Sequence, residues 1–190
     1  IAEIGRRNGV PVFLTVRNCD LGRYGSLSFC NARVFEIVIS QAKERGVTDV
    51  IAISYWELEK FSAAGLRADL SKLLDAGFRV QIMETVPGDK SYDPRARAMA
   101  ALDGGPLRTD GIRREEHDRT VLPLRAAFSE AMAGLGSRVG ILRPSDWLCD
   151  AQKCLYAPDG VPYYLDSNHL TFTGAKAIAP MFEMAVGEPP

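Results

Sequence analysis

The sequence predicts an α/β protein, a parallel sheet covered by helices, on three observations. Short apolar runs alternate along the chain with segments of helical period. Two of those runs, Val10-Pro11-Val12-Phe13-Leu14-Thr15-Val16 and Val50-Ile51-Ala52-Ile53, are apolar on both faces, as strands buried in a parallel sheet are. Glycines stand at Gly46 and Gly77, where a helix must stop before the next strand.

Taken in order, residues 1–9 read as the tail of an amphipathic helix stopped by Asn8-Gly9, and residues 10–16 as a strand. A helix follows over 31–45 with Asn31 as its N-cap, then a strand over 49–55, a helix over 67–76 and a strand over 78–86. Residues 87–118 form a long polar insertion expected to carry short helices. A helix over 120–134 and a strand over 138–143 come next, and Thr173 is the expected cap of a final helix ending near Val186. No internal repeat and no second domain is visible, so residues 1–190 are read as one domain, the C-terminal part of a larger protein. A helix tail in front of the strand at 10–16 implies that a first strand and its turn precede Ile1. In an open parallel sheet the ligand site lies beyond the carboxyl ends of the strands, beside that first strand, so part of the site is expected upstream.

A chain of 190 residues with 46% hydrophobic and 25% charged residues can bury a full core. A net charge of -1 gives no field for nucleic acid and no basic patch for anionic lipid, and suits a small neutral or glycan substrate. No apolar run approaches the roughly 18 to 20 residues of a membrane span, and no signal peptide opens the sequence. Four cysteines fall into local pairs, Cys19 with Cys30 and Cys149 with Cys154, which predicts two small disulfides and an oxidising compartment outside the cytoplasm. Free buried thiols are the alternative. Structural zinc fits poorly, because the first pair is wider than a Cys-x2–4-Cys knuckle and has no histidine near it.

The most informative stretch is Tyr163-Tyr164-Leu165-Asp166-Ser167-Asn168-His169-Leu170-Thr171-Phe172-Thr173-Gly174-Ala175, where a carboxylate stands three residues before one of only two histidines. Asp166 can hold one ring nitrogen of His169 while the other faces a nucleophile, which is half of a hydrolytic triad. Asp, Ser and Asn also favour turns by themselves, and on spacing alone a turn-closing role is the better account. His117, inside Arg113-Arg114-Glu115-Glu116-His117-Asp118-Arg119, reads as part of a solvated charged face. Metal catalysis finds no His-x-x-x-His pair, and no metal site is expected. Gly104-Gly105-Pro106 and Gly134-Leu135-Gly136 lack the setting of a phosphate loop.

Several pieces together resemble the SGNH-hydrolase-like domain of the acyltransferase-3 family of membrane O-acyltransferases. They are Cys19 to Cys30 followed by Asn31, the strand at 49–55 ending in Trp56, Glu84-Thr85-Val86-Pro87, Trp147-Leu148-Cys149 to Cys154, and Tyr164-Leu165-Asp166-Ser167-Asn168-His169-Leu170 with Gly174-Ala175. The resemblance covers nearly the whole chain and favours the triad role of Asp166 and His169. It implies a flavodoxin-like three-layer α/β/α fold and a periplasmic domain of a bacterial inner-membrane protein. It further implies transfer of an acetyl or similar group to a cell-surface polysaccharide such as lipopolysaccharide. On the same resemblance this domain binds no cofactor itself, and a membrane domain of the same protein supplies an acyl group derived from acetyl-CoA.

Two departures stand out. The family's Gly-Asp-Ser block, which provides the nucleophilic serine, occurs nowhere in the chain, and the serine is expected upstream. Ser26, Ser28, Ser54 and Ser167 do not sit on a strand-to-helix elbow and are not assigned. After Ile53-Ser54 the chain has Tyr55-Trp56 in place of the Gly-x-Asn-Asp that gives SGNH enzymes an oxyanion donor. Gly22 or Gly25 is the candidate glycine N–H, and Trp56 a candidate substrate contact, although Trp56 and Trp147 more often pack in a core or line a groove. Three functions therefore stand open: the acyltransferase domain, a secreted carbohydrate esterase of the same fold, and a non-catalytic glycan-binding remnant.

Overall fold

A computed structural model describes residues 1–7, 9–14, 21–22, 32–88, 93–105 and 111–186. Its elements are α1 (Ala2–Arg7), α2 (Ala32–Glu44), β1 (Asp49–Ile53), α3 (Ala63–Asp75), β2 (Arg79–Met83), α4 (Pro94–Leu102), α5 (Arg114–Met132), β3 (Val139–Leu142), α6 (Ser145–Leu148), α7 (Phe172–Ala177) and α8 (Ala179–Val186), with short 3-10 turns at Leu58–Lys60 and Pro158–Gly160. The chain divides into two compact units, Ile1–Glu84 with Leu122–Leu142 and Ala185–Pro190, and Thr85–Val121 with Arg143–Met184.

In the first unit β1, β2 and β3 form a parallel sheet in that order, with Asp49 opposite Arg79, Ile53 opposite Met83, and Met83 opposite Leu142. This is the α/β architecture the alternating runs predict. Val80 and Ile82, which share one face of the central strand, are fully buried, whereas Gln81 on the other face is half-buried and Arg79 exposed, so burial is complete on one face only. Helix α3 crosses from β1 to β2. Ser62 caps it, accepting from Gly65 N at 3.0 Å, and Leu66, Leu70, Leu73 and Leu74 form its buried stripe. The helix stops at Gly77, whose φ of +97° costs a residue without Cβ little. Glu84, fully buried just past β2, is held by the Arg125 guanidinium through both carboxylate oxygens at 3.0 Å.

The strand expected over 10–16 is absent from the described part of that segment, residues 10–14. The chain there hooks back on α1, with Val10 N donating to Gly5 O at 2.8 Å, and Leu14 is 79% exposed. Apolar character made the segment fit for a sheet, but the ladder bonds that would make it a strand are not formed. Asn31, the expected cap of α2, lies outside the described residues, as do Cys19, Cys30 and Gly25.

In the second unit the insertion carries α4, capped by Asp93, whose carboxylate accepts from Arg95 N at 2.9 Å and Ala96 N at 3.1 Å. Helix α5 starts at Arg114, earlier than the pattern suggests. His117 is only 2% exposed and does not lie on a solvated face. It heads a stripe of α5 continued by Val121, Leu124, Phe128 and Ala131, all buried, so helical spacing outweighs the charged neighbours. The last helix is capped by Thr171, not Thr173, and breaks at Ile178 into α7 and α8. Thr171 lies where the backbone is still extended, which the cap geometry needs.

Candidate active site

The loop between Tyr163 and Thr171 is closed at its base by backbone pairing and organised at its tip by one carboxylate. Tyr164 and Leu170 form an antiparallel bridge, Leu165 N donates to His169 O at 2.7 Å, and Thr171 N donates to Tyr163 O at 2.9 Å. Tyr164 is buried and meets the Tyr156 ring edge-on at 5.0 Å, which anchors the base. Thr171 completes it, its hydroxyl donating to Pro162 O at 2.8 Å and accepting from Gly174 N at 3.1 Å.

Asp166 uses its two oxygens for different tasks. Oδ1 accepts from the backbone N–H of Asn168 at 2.9 Å and of His169 at 2.8 Å, the bonds of an Asx turn. Oδ2 lies 2.8 Å from His169 Nδ1. One oxygen thus closes the turn and the other meets the His169 ring. The Asn168 and His169 amides and then the His169 ring hold the Asp166 carboxyl well below its ordinary value, at about 2. An ionised carboxylate cannot donate, so Nδ1 of a neutral His169 carries the proton and Nε2 keeps its lone pair. The side chains of His169 and Asp166 are 70% and 52% exposed, which leaves Nε2 accessible to a reacting group.

The family model described as SGNH domain (fused to AT3 domains) matches residues 1–184. The chain belongs to that family. No curated protein matches it. It is an SGNH domain of the acyltransferase-3 family, a class of hydrolase and acyltransferase domains whose fusion partners are membrane acyltransferase domains. No helix among the described residues of this SGNH domain is long and apolar enough to cross a membrane.

Of the residues singled out from the sequence, the structure brings Asp166 and His169 together. Gly22 and Trp56 belong to the first unit. Gly22 N donates to Asp69 Oδ2 at 2.7 Å, so this amide is bonded to a carboxylate in place of the open oxyanion position expected of it. Its φ of +84° and its approach to Leu66 N, which would stand 3.0 Å from a Cβ, explain the glycine by packing on α3. Trp56 is 7% exposed, its indole N–H donates to Met83 O at 2.8 Å, and its ring meets Phe128 and Phe61 edge-on at 5.2 and 5.5 Å. It has the packing role, and its one polar atom is bonded to the end of β2.

Cys149 and Cys154 form a disulfide across an antiparallel bridge, the second of the two expected pairs. Asp150 turns the chain between them, its Oδ1 accepting from Gln152 N and Lys153 N at 2.7 Å each, and those two bonds lower its pKa. Trp147, in the helix just before this turn, is 39% exposed. Among the described residues no group of three or more His, Cys, Asp or Glu is arranged to hold a metal ion. Asp69 escaped the sequence reading. An aspartate inside the leucine stripe of α3 was its available signal, since a carboxylate on a buried helix face needs a partner.

Proposed function

We propose that this SGNH domain supplies the base half of an acyl-transfer site, His169 oriented by Asp166, to a nucleophilic serine outside these 190 residues. The product is an O-acylated, most simply O-acetylated, cell-surface polysaccharide on the periplasmic side. The observation that carries this reading is the 2.8 Å pair between His169 Nδ1 and Asp166 Oδ2, with Nε2 left open.

In the first step the serine hydroxyl passes its proton to His169 Nε2 while its oxygen attacks the donor carbonyl. The imidazolium returns that proton to the leaving group as the donor bond breaks, and an acyl-serine remains. A sugar hydroxyl then gives its proton to Nε2 and attacks the ester, and the serine oxygen takes the proton back. Asp166 stays ionised throughout, fixing the tautomer and stabilising the imidazolium each half-reaction creates. The donor is delivered by the membrane acyltransferase domain to which this family is fused, and the domain itself needs no cofactor for these proton transfers.

The test is hydrolysis of a chromogenic acetyl ester by the protein extended to include the serine block, with and without His169→Ala. The proposal expects turnover with His169 and a loss of at least about four orders of magnitude without it, at nearly unchanged melting temperature. Equal turnover in both proteins would end the assignment of His169 as the base.

A further inference from the structure

We infer that Gly88 is a positioning residue for the Asp166–His169 pair, acting through the Ser167 carbonyl; the functional part of this inference rests on the acyl-transfer reading above. The loop that carries the pair is anchored at its base by buried Tyr164, but Leu165 and the side chains of Asp166 and His169 are exposed. Side-chain packing therefore does little to fix the tip. What meets the tip is backbone. A Cβ placed on Gly88 would stand well inside the van der Waals contact distance to Ser167 O, with Ser167 C at 3.4 Å. Ser167 is the residue between Asp166 and Asn168, inside the turn that Asp166 Oδ1 closes. Gly88 follows Val86 and Pro87, both buried, so the surface under the loop is held by packed neighbours.

The φ of Gly88 is not in the left-handed region, where eight other glycines among the described residues lie, so an alanine there suffers no backbone strain. Its cost is confined to the contact with Ser167 O. That oxygen is backbone and cannot swing aside as a flexible side chain would, so the turn must move. Moving it displaces Asp166 Oδ2 and His169 Nδ1, whose 2.8 Å separation sets the tautomer and aim of the ring. Gly174 has the matching function at the base: its Cβ would strike Tyr163 O, so α7 can lie close against the start of the same loop.

Two readouts separate this inference from the acyl-transfer reading. In the 190-residue chain, 15N NMR of the imidazole reports the tautomer and the Nδ1 proton bond of His169, with no need for turnover. Gly88→Ala is expected to shift the His169 ring signals toward a mixture of tautomers and to speed amide exchange at Asn168 and His169, while amides of β2 exchange as before. In the serine-containing protein the same substitution is expected to lower kcat by roughly 10- to 100-fold with KM within about twofold, the loss typical of a small misplacement of a catalytic group. An unchanged His169 spectrum overturns the inference, and so does global unfolding of Gly88→Ala, which would make Gly88 a folding requirement. A shifted spectrum with unchanged turnover supports the positioning claim while counting against His169 as the base.

Discussion

Asp69 and Asp166 each accept hydrogen bonds from the backbone, yet they are pushed in opposite directions. Asp69, 4% exposed on α3, takes the Gly22 N–H at 2.7 Å, and burial raises its pKa despite that bond and the nearby Lys72. Asp166 stands in solvent with three donors, and its pKa falls to about 2. A single amide does not replace the water a buried carboxylate loses, whereas two amides and an imidazole around an exposed one favour the anion by more than its small desolvation opposes it. The first aspartate ties a loop to the core of its unit. The second stands at the surface with its anion favoured, the state that the proposed orienting role requires.

The largest expected effect that breaks this contrast is Asp166→Asn. An asparagine can keep the two turn bonds through its oxygen, but its amide donates where Nδ1–H must donate, so the ring is held in the wrong tautomer. Acyl turnover should fall by about 10²- to 10⁴-fold with little change in melting temperature. A stability loss as large as the activity loss would make Asp166 a turn residue only. Asp69→Ala is the next largest, and its effect is on folding: it leaves the Gly22 amide without its partner, and unfolding in urea should reveal a loss of about 1–3 kcal/mol. Asp69→Asn, which keeps an acceptor and removes the charge, should recover most of it.

The smallest effect is the difference in pH dependence. The folded-state pKa of Asp69 is raised, so the folded state holds its proton longer and this group's contribution to stability declines as pH rises from the ordinary aspartate range of about 4 toward its raised value. Asp166 has the opposite sign: its contribution is fully present above about pH 4 and is lost as pH falls toward about 2. Carboxyl 13C titrations of the two residues should have midpoints on opposite sides of the ordinary aspartate value, and coincident midpoints would remove the contrast.

What the sequence makes legible follows the same division. The strands β1, β2 and β3 and the helix α3 are readable because apolar runs, a leucine stripe and stop glycines all agree. The segment at 10–14 misleads, because strand identity resides in partners that composition does not carry. His117 misleads because the six charged residues around it, from Arg113 to Arg119, hide a helical stripe. At the site, the Asp-x-x-His spacing brings Asp166 and His169 together as expected, whereas the expected cap Thr173 gives way to Thr171, where the backbone is still extended. The Gly22–Asp69 bond joins residues 47 apart in sequence, and no local pattern announces such a pairing.

In the proposed mechanism Asp166 acts only through His169. A double-mutant cycle of Asp166→Asn and His169→Ala, read as kcat/KM for the chromogenic acetyl ester in the serine-containing protein, tests it most directly. If the claim holds, the double variant is no slower than His169→Ala alone, because an orienting carboxylate has nothing left to orient. Losses that multiply, each substitution costing its full factor in the presence of the other, would contradict it.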